Sequence, residues 1–303
     1  MRTYCLHSYG RYLLAFSLVW ILFSSELQAS CLQDLRLMTF NLRYDSGGIG
    51  SLFDSNGWNK LQNPRSARVE SIVARWNPDI IGTQEGLQNQ INDLSLAFTA
   101  YDFWGVGRDN GKSRGEFAGI FYRKERFLLN EAGHFWLSLT PDVPGTVFAN
   151  SGNNRMVSWV RLTDLLTDKN FLVLNTHWDN ASEESRILSA QLMVERTGEM
   201  VLPTESLLIL GDLNSSENSL EVSTLRKGLW LNDAYRLFHP TVQADEASYH
   251  GFSGATKGSP IDFVLIPSGY SVLQATIIRD SFAGLFPSDH FPVQVSVCLD
   301  ENW

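Results

Sequence analysis

The chain has 303 residues, 44% of them hydrophobic and 12% aromatic, enough for one large core and long enough for one or two domains. Its formal net charge of −9 lacks the broad positive field that nonspecific polyanion binding needs. That excludes a tight, general nucleic-acid binder, but not an enzyme that holds a single phosphate with a metal and a few local cations.

The N-terminus reads as a processing segment. Arg2 and Arg11 give a basic start, residues 13–23 form an apolar run, and Leu27-Gln28-Ala29 offers a small residue at the cut. The run is shorter than the about 20 apolar residues of a transmembrane span. The expectation is a secretory signal peptide at residues 1–29 and a single domain at 30–303. The product would be exported, periplasmic or extracellular, with no membrane span after processing. Cleavage removes Arg2, Arg11 and Glu26, which takes the charge from −9 to −10. An uncleaved anchor is one alternative. A lipoprotein acylated at Cys31 is another, and Glu26 and Gln28 fit that pattern poorly.

Beyond the leader, residues 35–40 alternate as a strand running into Asn41. Asn63-Pro64 resembles an N-cap with proline at the first helical position. Val69, Ile72, Val73 and Trp76 then recur at helical spacing, predicting a helix over residues 65–76 that Asn77-Pro78 stops. Residues 79–83 read as a buried strand and 88–97 as a second helix. Strands are expected at 118–122, 157–162 and 171–176, the last two joined as a hairpin. A helix starts at Ser182, and further strands follow at 207–210, 261–266, 274–279 and 291–297. No linker, repeat or low-complexity segment appears. Mixed hairpins and helices indicate an α+β fold.

Chemistry-bearing residues fall at the ends of these runs. Gly211-Asp212-Leu213-Asn214 follows an apolar run, and Ser288-Asp289-His290 precedes another. Gln84-Glu85 and Asn175-Thr176-His177 end two more strands. Each motif alone is commonplace, since Asp and Asn favour turns. Together with Met38-Thr39-Phe40-Asn41 and Ile261-Asp262-Phe263 they form an ordered set.

This set resembles the endonuclease/exonuclease/phosphatase superfamily, the deoxyribonuclease-I-like fold, over about residues 35–297. Residues 105–111, 135–138, 140–142 and 249–252 resemble a bacterial and fungal branch related to deadenylase-like members. The resemblance implies a four-layer α/β/β/α sandwich, two mixed sheets packed face to face and flanked by helices. It also implies phosphate ester hydrolysis by an activated water. Asp212 would position or deprotonate that water and Asn214 hold a phosphate oxygen, both pointing one way if the segment is extended. His177 would contact phosphate or the leaving oxygen.

His290 would be cationic beside the scissile phosphate, or act as acid or base. Asp289 and His290 are adjacent, so in extended chain they point oppositely. The carboxylate facing His290 should therefore come from another strand, and Asp262 is the candidate. An Asp partner would raise the His290 pKa.

The Cys and His residues do not cluster, which argues against zinc. Carboxylates and amides suit a hard cation, Mg²⁺ or Mn²⁺, with Glu85, Asn41 and Asp289 as ligands. Arg43 occupies a position where some family members carry an acid. Arg108, Arg155, Arg186 and His250 are candidates for substrate contact, and Trp58, Trp136 and Trp178 for an aromatic rim.

The expected partner is a phosphorylated small molecule, a phospholipid headgroup or a nucleic acid, with no obligate protein partner. A secreted nuclease or 3′-5′ exonuclease is the enzymatic alternative, and a noncatalytic phosphate-binding protein the non-enzymatic one. Cys31 and Cys298 are the cysteines left after cleavage. They would fall together if the first and last strands pair antiparallel, giving a disulfide; otherwise Cys31 is lipidated or frayed and Cys298 a free thiol.

Overall fold

The computed structural model describes Met1, Cys31 and residues 33–47, 56–59 and 61–299, so the leader expected at residues 1–29 lies outside the described residues. Cys31 and the chain that follows it form one compact unit. Among the described residues, twelve strands make two six-stranded sheets.

The first sheet has the order β11-β12-β1-β2-β4-β3. Its strands are β1 (Asp34–Asn41), β2 (Ile80–Gly86), β3 (Tyr101–Trp104), β4 (Phe117–Arg123), β11 (Val272–Ile277) and β12 (Val293–Cys298). The second has the order β5-β6-β7-β8-β10-β9. It is built from β5 (Phe127–Trp136), β6 (Met156–Asp164), β7 (Asn170–His177), β8 (Glu205–Asp212), β9 (Leu231–Asp233) and β10 (Asp262–Pro267). One pair in each sheet is parallel, β1 with β2 and β7 with β8. The other pairs are antiparallel.

Alternation along the strands sorts side chains into layers, because successive residues face opposite sides of a sheet. Leu35 and Leu37 of β1, Phe171 and Val173 of β7, and Leu208 and Leu210 of β8 share the core between the sheets. Their neighbours point outward. Met38, Phe40 and Ile81 pack with Val69 and Ile72 of α1 (Arg65–Trp76) and Leu94 of α2 (Gln88–Ala97). Leu172, Leu174 and Ile209 pack with Ala190 and Met193 of α3 (Glu183–Met200) and with Val222 and Leu225 of α4 (Leu220–Gly228). The result is a four-layer α/β/β/α sandwich. Both faces of the central strands are covered, so these strands read as near-continuous apolar runs.

Several local readings change. Pro64, not Asn63, is the N-cap of α1, and Asn63 lies in the left-handed region at φ 53°. The edge strand β5 had no strand signal, because a register shift between Leu129 and Glu131 breaks its alternation. The short β3, β9 and α5 (Ala234–Phe238) and the helix α4 add to the elements that the sequence pattern predicts.

β1 and β12 do pair antiparallel, with Asp34 opposite Cys298. Cys31 and Cys298 form a disulfide with Cα atoms 5.7 Å apart. Among the described residues, no helix is long and apolar enough to cross a membrane.

Candidate active site

The C-terminal ends of the two parallel pairs meet over one cavity of about 600 Å³. Glu85, His177, Asp212, Asn214, Asp289 and His290 line it, together with Arg43, Arg108 and Arg155. A larger cavity of about 950 Å³ lies at the other end of β7 and β8, around Leu207 and Trp230. Its buried carboxylate, Glu205, is already held by Arg161 at 2.8 Å, so the reactive groups gather in the smaller one.

Buried polar groups fix the floor. Asn175 accepts from Gln84 Nε2 at 2.7 Å and donates to the carbonyls of Thr83 at 2.9 Å and Gly119 at 2.8 Å. The sheets approach so closely here that a Cβ on Gly82 would stand 2.7 Å from Leu210 Cβ and 2.8 Å from Asn175 Oδ1. Gln84 and Asn175 thus act as a strut between sheets, a role their motifs alone did not reveal. Ser288 Oγ adds a bond to the Asn41 carbonyl at 2.6 Å, tying the loop before β12 to the end of β1.

Asp212 is the hub. Asn41 Nδ2 donates to its Oδ2 at 2.9 Å, and the Asn214 backbone N–H donates to Oδ1 at 2.9 Å. Nε2 of His177 and Nε2 of His290 lie 3.5 and 3.8 Å from the same Oδ2. Burial, then the charge of Asp262, push the Asp212 pKa up to about 7, with His290 and the two hydrogen bonds opposing.

Asp262 Oδ2 sits 2.9 Å from His290 Nδ1. Burial would discharge that imidazole, but Asp262 and then Asp212 outweigh it and raise the His290 pKa to about 10. The pair straddles the sheets, since Asp262 opens β10 and His290 precedes β12.

His177 is opposite in character. Burial, then Arg155, Arg108 and His290, hold it well below the usual range, so it is neutral. Arg155 Nη1 lies 2.8 Å from its Nδ1, and Arg155 Nη2 donates to Asn180 Oδ1 at 3.1 Å. Asn214 departs from extended geometry at φ 48°, and its Nδ2 donates to the Trp178 carbonyl at 3.0 Å.

A second group of oxygens sits beside Arg43. Glu85 lies in the left-handed region at φ 63°. Its Oε1 accepts from Asn41 at 3.1 Å and its Oε2 from the Tyr44 N–H at 3.1 Å. Arg43 stands 3.5 Å from Glu85 and 3.7 Å from Asp289. Burial pushes the Asp289 pKa up, against the opposing charge of His290. Glu85 and Asp289 are the oxygen donors that suit a hard divalent cation.

Asn41 Oδ1 instead accepts from the Arg43 N–H at 2.9 Å, so the amide turns its NH₂ toward the carboxylates. Asp212, Asp262 and His290 also place donor atoms within 4.8 Å of one another, close enough to hold an ion. The shared hydrogen bond of His290 Nδ1 makes that trio better suited to moving protons.

Two sequence candidates for substrate contact lie away from the cavity lining. Arg186 joins α3 to α4 through Glu221 at 3.0 Å and also donates to the Asp179 carbonyl at 3.0 Å. His250 is 5% exposed, stacks on Phe291 at 3.9 Å between centroids, and accepts from the Gly254 N–H at 3.1 Å. Arg108 remains in the lining, bound to Glu116 at 2.6 Å.

The tryptophan rim is overturned. Trp58, Trp136 and Trp178 are 0–1% exposed, because their ring area is worth more in the core. The aromatic lining is Tyr44 and Tyr249, the latter 53% exposed and 5.0 Å from the His290 ring. Trp136 contributes indirectly, donating its indole N–H to the Arg108 carbonyl at 2.6 Å.

A polar cavity open to solvent, with a carboxylate hub, a cationic and a neutral imidazole and oxygen donors for a cation, holds the groups that phosphoester cleavage needs. The chain belongs to the Endonuclease/Exonuclease/phosphatase family, whose model matches residues 38–290. Members of that family hydrolyse phosphoester bonds.

Among solved structures, a mannosyl-6-phosphatase of Bacteroides thetaiotaomicron VPI-5482 is 29% identical, with TM-score 0.78, covering 87% of this chain and 99% of its own. An endonuclease/exonuclease/phosphatase of Bacteroides vulgatus is 31% identical, with TM-score 0.76, covering 88% and 98%. An uncharacterized protein of Acanthamoeba polyphaga mimivirus is 28% identical over 116 residues, 34% of this chain and 16% of that protein.

Proposed function

We propose that this chain is an exported, divalent-metal-dependent phosphatase acting on a phosphorylated sugar. The observation that carries the reading is the Asp262–His290–Asp212 chain, spanning 2.9 and 3.8 Å, whose His290 and Asp212 line a cavity of about 600 Å³. A space of that size suits a small ligand. Its lining of Asn153, Asn180 and three arginines, with the aromatic rings of Tyr44 and Tyr249, suits a polyhydroxylated molecule with an anionic group. The likeness to a mannosyl-6-phosphatase at 29% identity supports the same substrate class.

In this reading Asp212 orients a water and takes its proton, since its raised pKa makes it a serviceable base near neutrality. The water oxygen bonds to phosphorus as the ester oxygen departs. His290 presses its positive charge on the developing oxyanion, and His177 and Asn214 hold phosphate oxygens. A Mg²⁺ or Mn²⁺ ion held by Glu85 and Asp289 would neutralise phosphate charge and stabilise the leaving oxygen.

Export rests on the N-terminal pattern and on the Cys31–Cys298 disulfide, which suits an oxidising compartment. N-terminal sequencing of protein produced with its leader tests this part. Hydrolysis of hexose 6-phosphates, an oligonucleotide and a phospholipid, each with Mg²⁺, Mn²⁺ or chelator, tests the rest. Preferred release of phosphate from the sugars supports it. Preferred cleavage of the oligonucleotide would replace it with the nuclease reading, and binding of sugar phosphate without turnover with the noncatalytic one.

A further inference from the structure

We infer that Arg155 is a positioning residue that locks His177 in one neutral tautomer, with Nδ1 bare and the proton on Nε2. The argument is geometric. Arg155 and His177 are only 4% and 8% exposed, and Arg155 Nη1 lies 2.8 Å from His177 Nδ1. A guanidinium carries donors and no acceptor, so the ring nitrogen facing it must offer a lone pair. On the other edge of the ring, Nε2 looks at Asp212 Oδ2 at 3.5 Å, where a carboxylate favours an N–H. Both edges therefore select the same tautomer. Asn180 holds the second guanidinium nitrogen at 3.1 Å, which fixes the plane of the fork.

One acceptor competes. Glu116 Oε2 lies 3.8 Å from Nδ1 and would favour a proton there. Arg155 is nearer, and Arg108 engages Glu116 through Oε1 at 2.6 Å. The remaining charged groups facing the ring are Arg108 and His290, both cationic and both opposed to a second proton, in line with the depressed pKa. A doubly protonated ring would also aim an N–H at the Arg155 N–H.

The two histidines thus divide the work around Asp212. His290 is held as a cation by Asp262. His177 is held neutral by burial and by Arg155, and offers Nε2–H to a phosphate oxygen without transferring a proton. That catalytic consequence rests on the phosphoesterase reading, whereas the tautomer does not.

The test is nitrogen-15 NMR of histidine-labelled whole protein, with His177→Asn assigning the ring signals. The expected result is a bare Nδ1 and a protonated Nε2, unchanged between about pH 5 and about pH 8, a range in which a free imidazole titrates. Arg155→Met should release the ring, which then moves its proton to Nδ1 beside Glu116 or takes up a proton at higher pH than in wild type, while burial, Arg108 and His290 still hold its pKa down. In kinetics the acid limb that Asp212 sets in wild type should become steeper in that variant, because the ring no longer stays neutral in acid. Arg155→Lys, which keeps a donor, should restore the wild-type tautomer.

A wild-type His177 that titrates near 6.5, or carries its proton on Nδ1, overturns the inference, as does an Arg155→Met spectrum identical to wild type. The wild-type spectrum decides the matter even if Arg155→Met does not fold, and it needs no substrate. Failure of the phosphatase reading would therefore leave it intact.

Discussion

Replacing Asp262 by Asn isolates the charge on His290 from its place in the fold. The two side chains meet at 2.9 Å, at 2% and 5% exposure, and Asp262 is the largest influence raising the imidazole pKa to about 10. Asparagine keeps the shape and removes the charge, so the pKa should fall back toward the ordinary value of about 6.5. At about pH 8 an ordinary imidazole is only about 3% protonated, which predicts a loss of about 30-fold in kcat/KM, or about 2 kcal/mol.

At about pH 6 most of the charge returns and the deficit should shrink to a few-fold. His290→Ala should instead lose about 10²–10³-fold at both pH values, the scale of a central electrostatic group. The double variant should be no worse than His290→Ala alone, because the two residues act as a unit. The sign for stability follows from a raised folded pKa. The pair's contribution is fully present below about 6.5 and is lost as pH rises through about 10, so melting curves of wild type and Asp262→Asn should differ most in acid. Rates and melting curves measured from about pH 5 to about pH 10 provide the assay. A loss in Asp262→Asn that is the same at every pH, or simply adds to that of His290→Ala, would refute the reasoning.

Glu85→Ala should stay folded, lose most activity and weaken Mg²⁺ binding in calorimetry, since it removes an ionised oxygen donor; full wild-type activity in excess chelator would contradict this. Random-sequence DNA should bind negligibly without metal at physiological salt, given the charge of −9. Tight binding with a steep salt slope would reverse that view. Denatured, unreduced protein should show no thiol from Cys31 or Cys298, and reduction should cost up to about 5–6 kcal/mol by the loop-entropy model. Gly82→Ala should destabilise by about 1–3 kcal/mol and lower kcat as well, because its Cβ would meet Leu210 and Asn175 at the floor of the site. Unchanged activity in that variant would show that the gap between the sheets tolerates movement.

Much of the site was legible because its groups stand at the ends of strands, where an apolar run in sequence marks both the strand and its last residue. Glu85, His177 and Asp212 could be read in this way, and the opposite facing of Asp289 and His290 pointed to a partner on another strand. What sequence could not show was geometry between strands. Nothing in the spacing of 22 residues between Arg155 and His177 announces a 2.8 Å contact. Arg186 and Arg108 read alike as candidates for substrate contact, and only their surroundings, Glu221 and the Asp179 carbonyl for one and the cavity for the other, separate them. The tryptophans failed as a rim for a related reason, since aromatic residues predict apolar burial better than they predict a binding face.

The site belongs to neither sheet alone. Asn41 and Glu85 come from the first sheet, and His290 stands beside its last strand. His177, Asp212 and Asp262 come from the second. The contacts that join Asn41 to Asp212, Gln84 to Asn175 and His290 to Asp262 therefore all cross the gap between sheets. Hydrogen bonds weaken steeply with small displacements, so the register of the two sheets sets the charge of His290 and the basicity of Asp212 together. The apolar core between the sheets thus serves chemistry as well as stability. Substitutions there should disturb the reaction more than substitutions of equal stability cost in the apolar layers under the outer helices, which pack on the sheet faces turned away from that core.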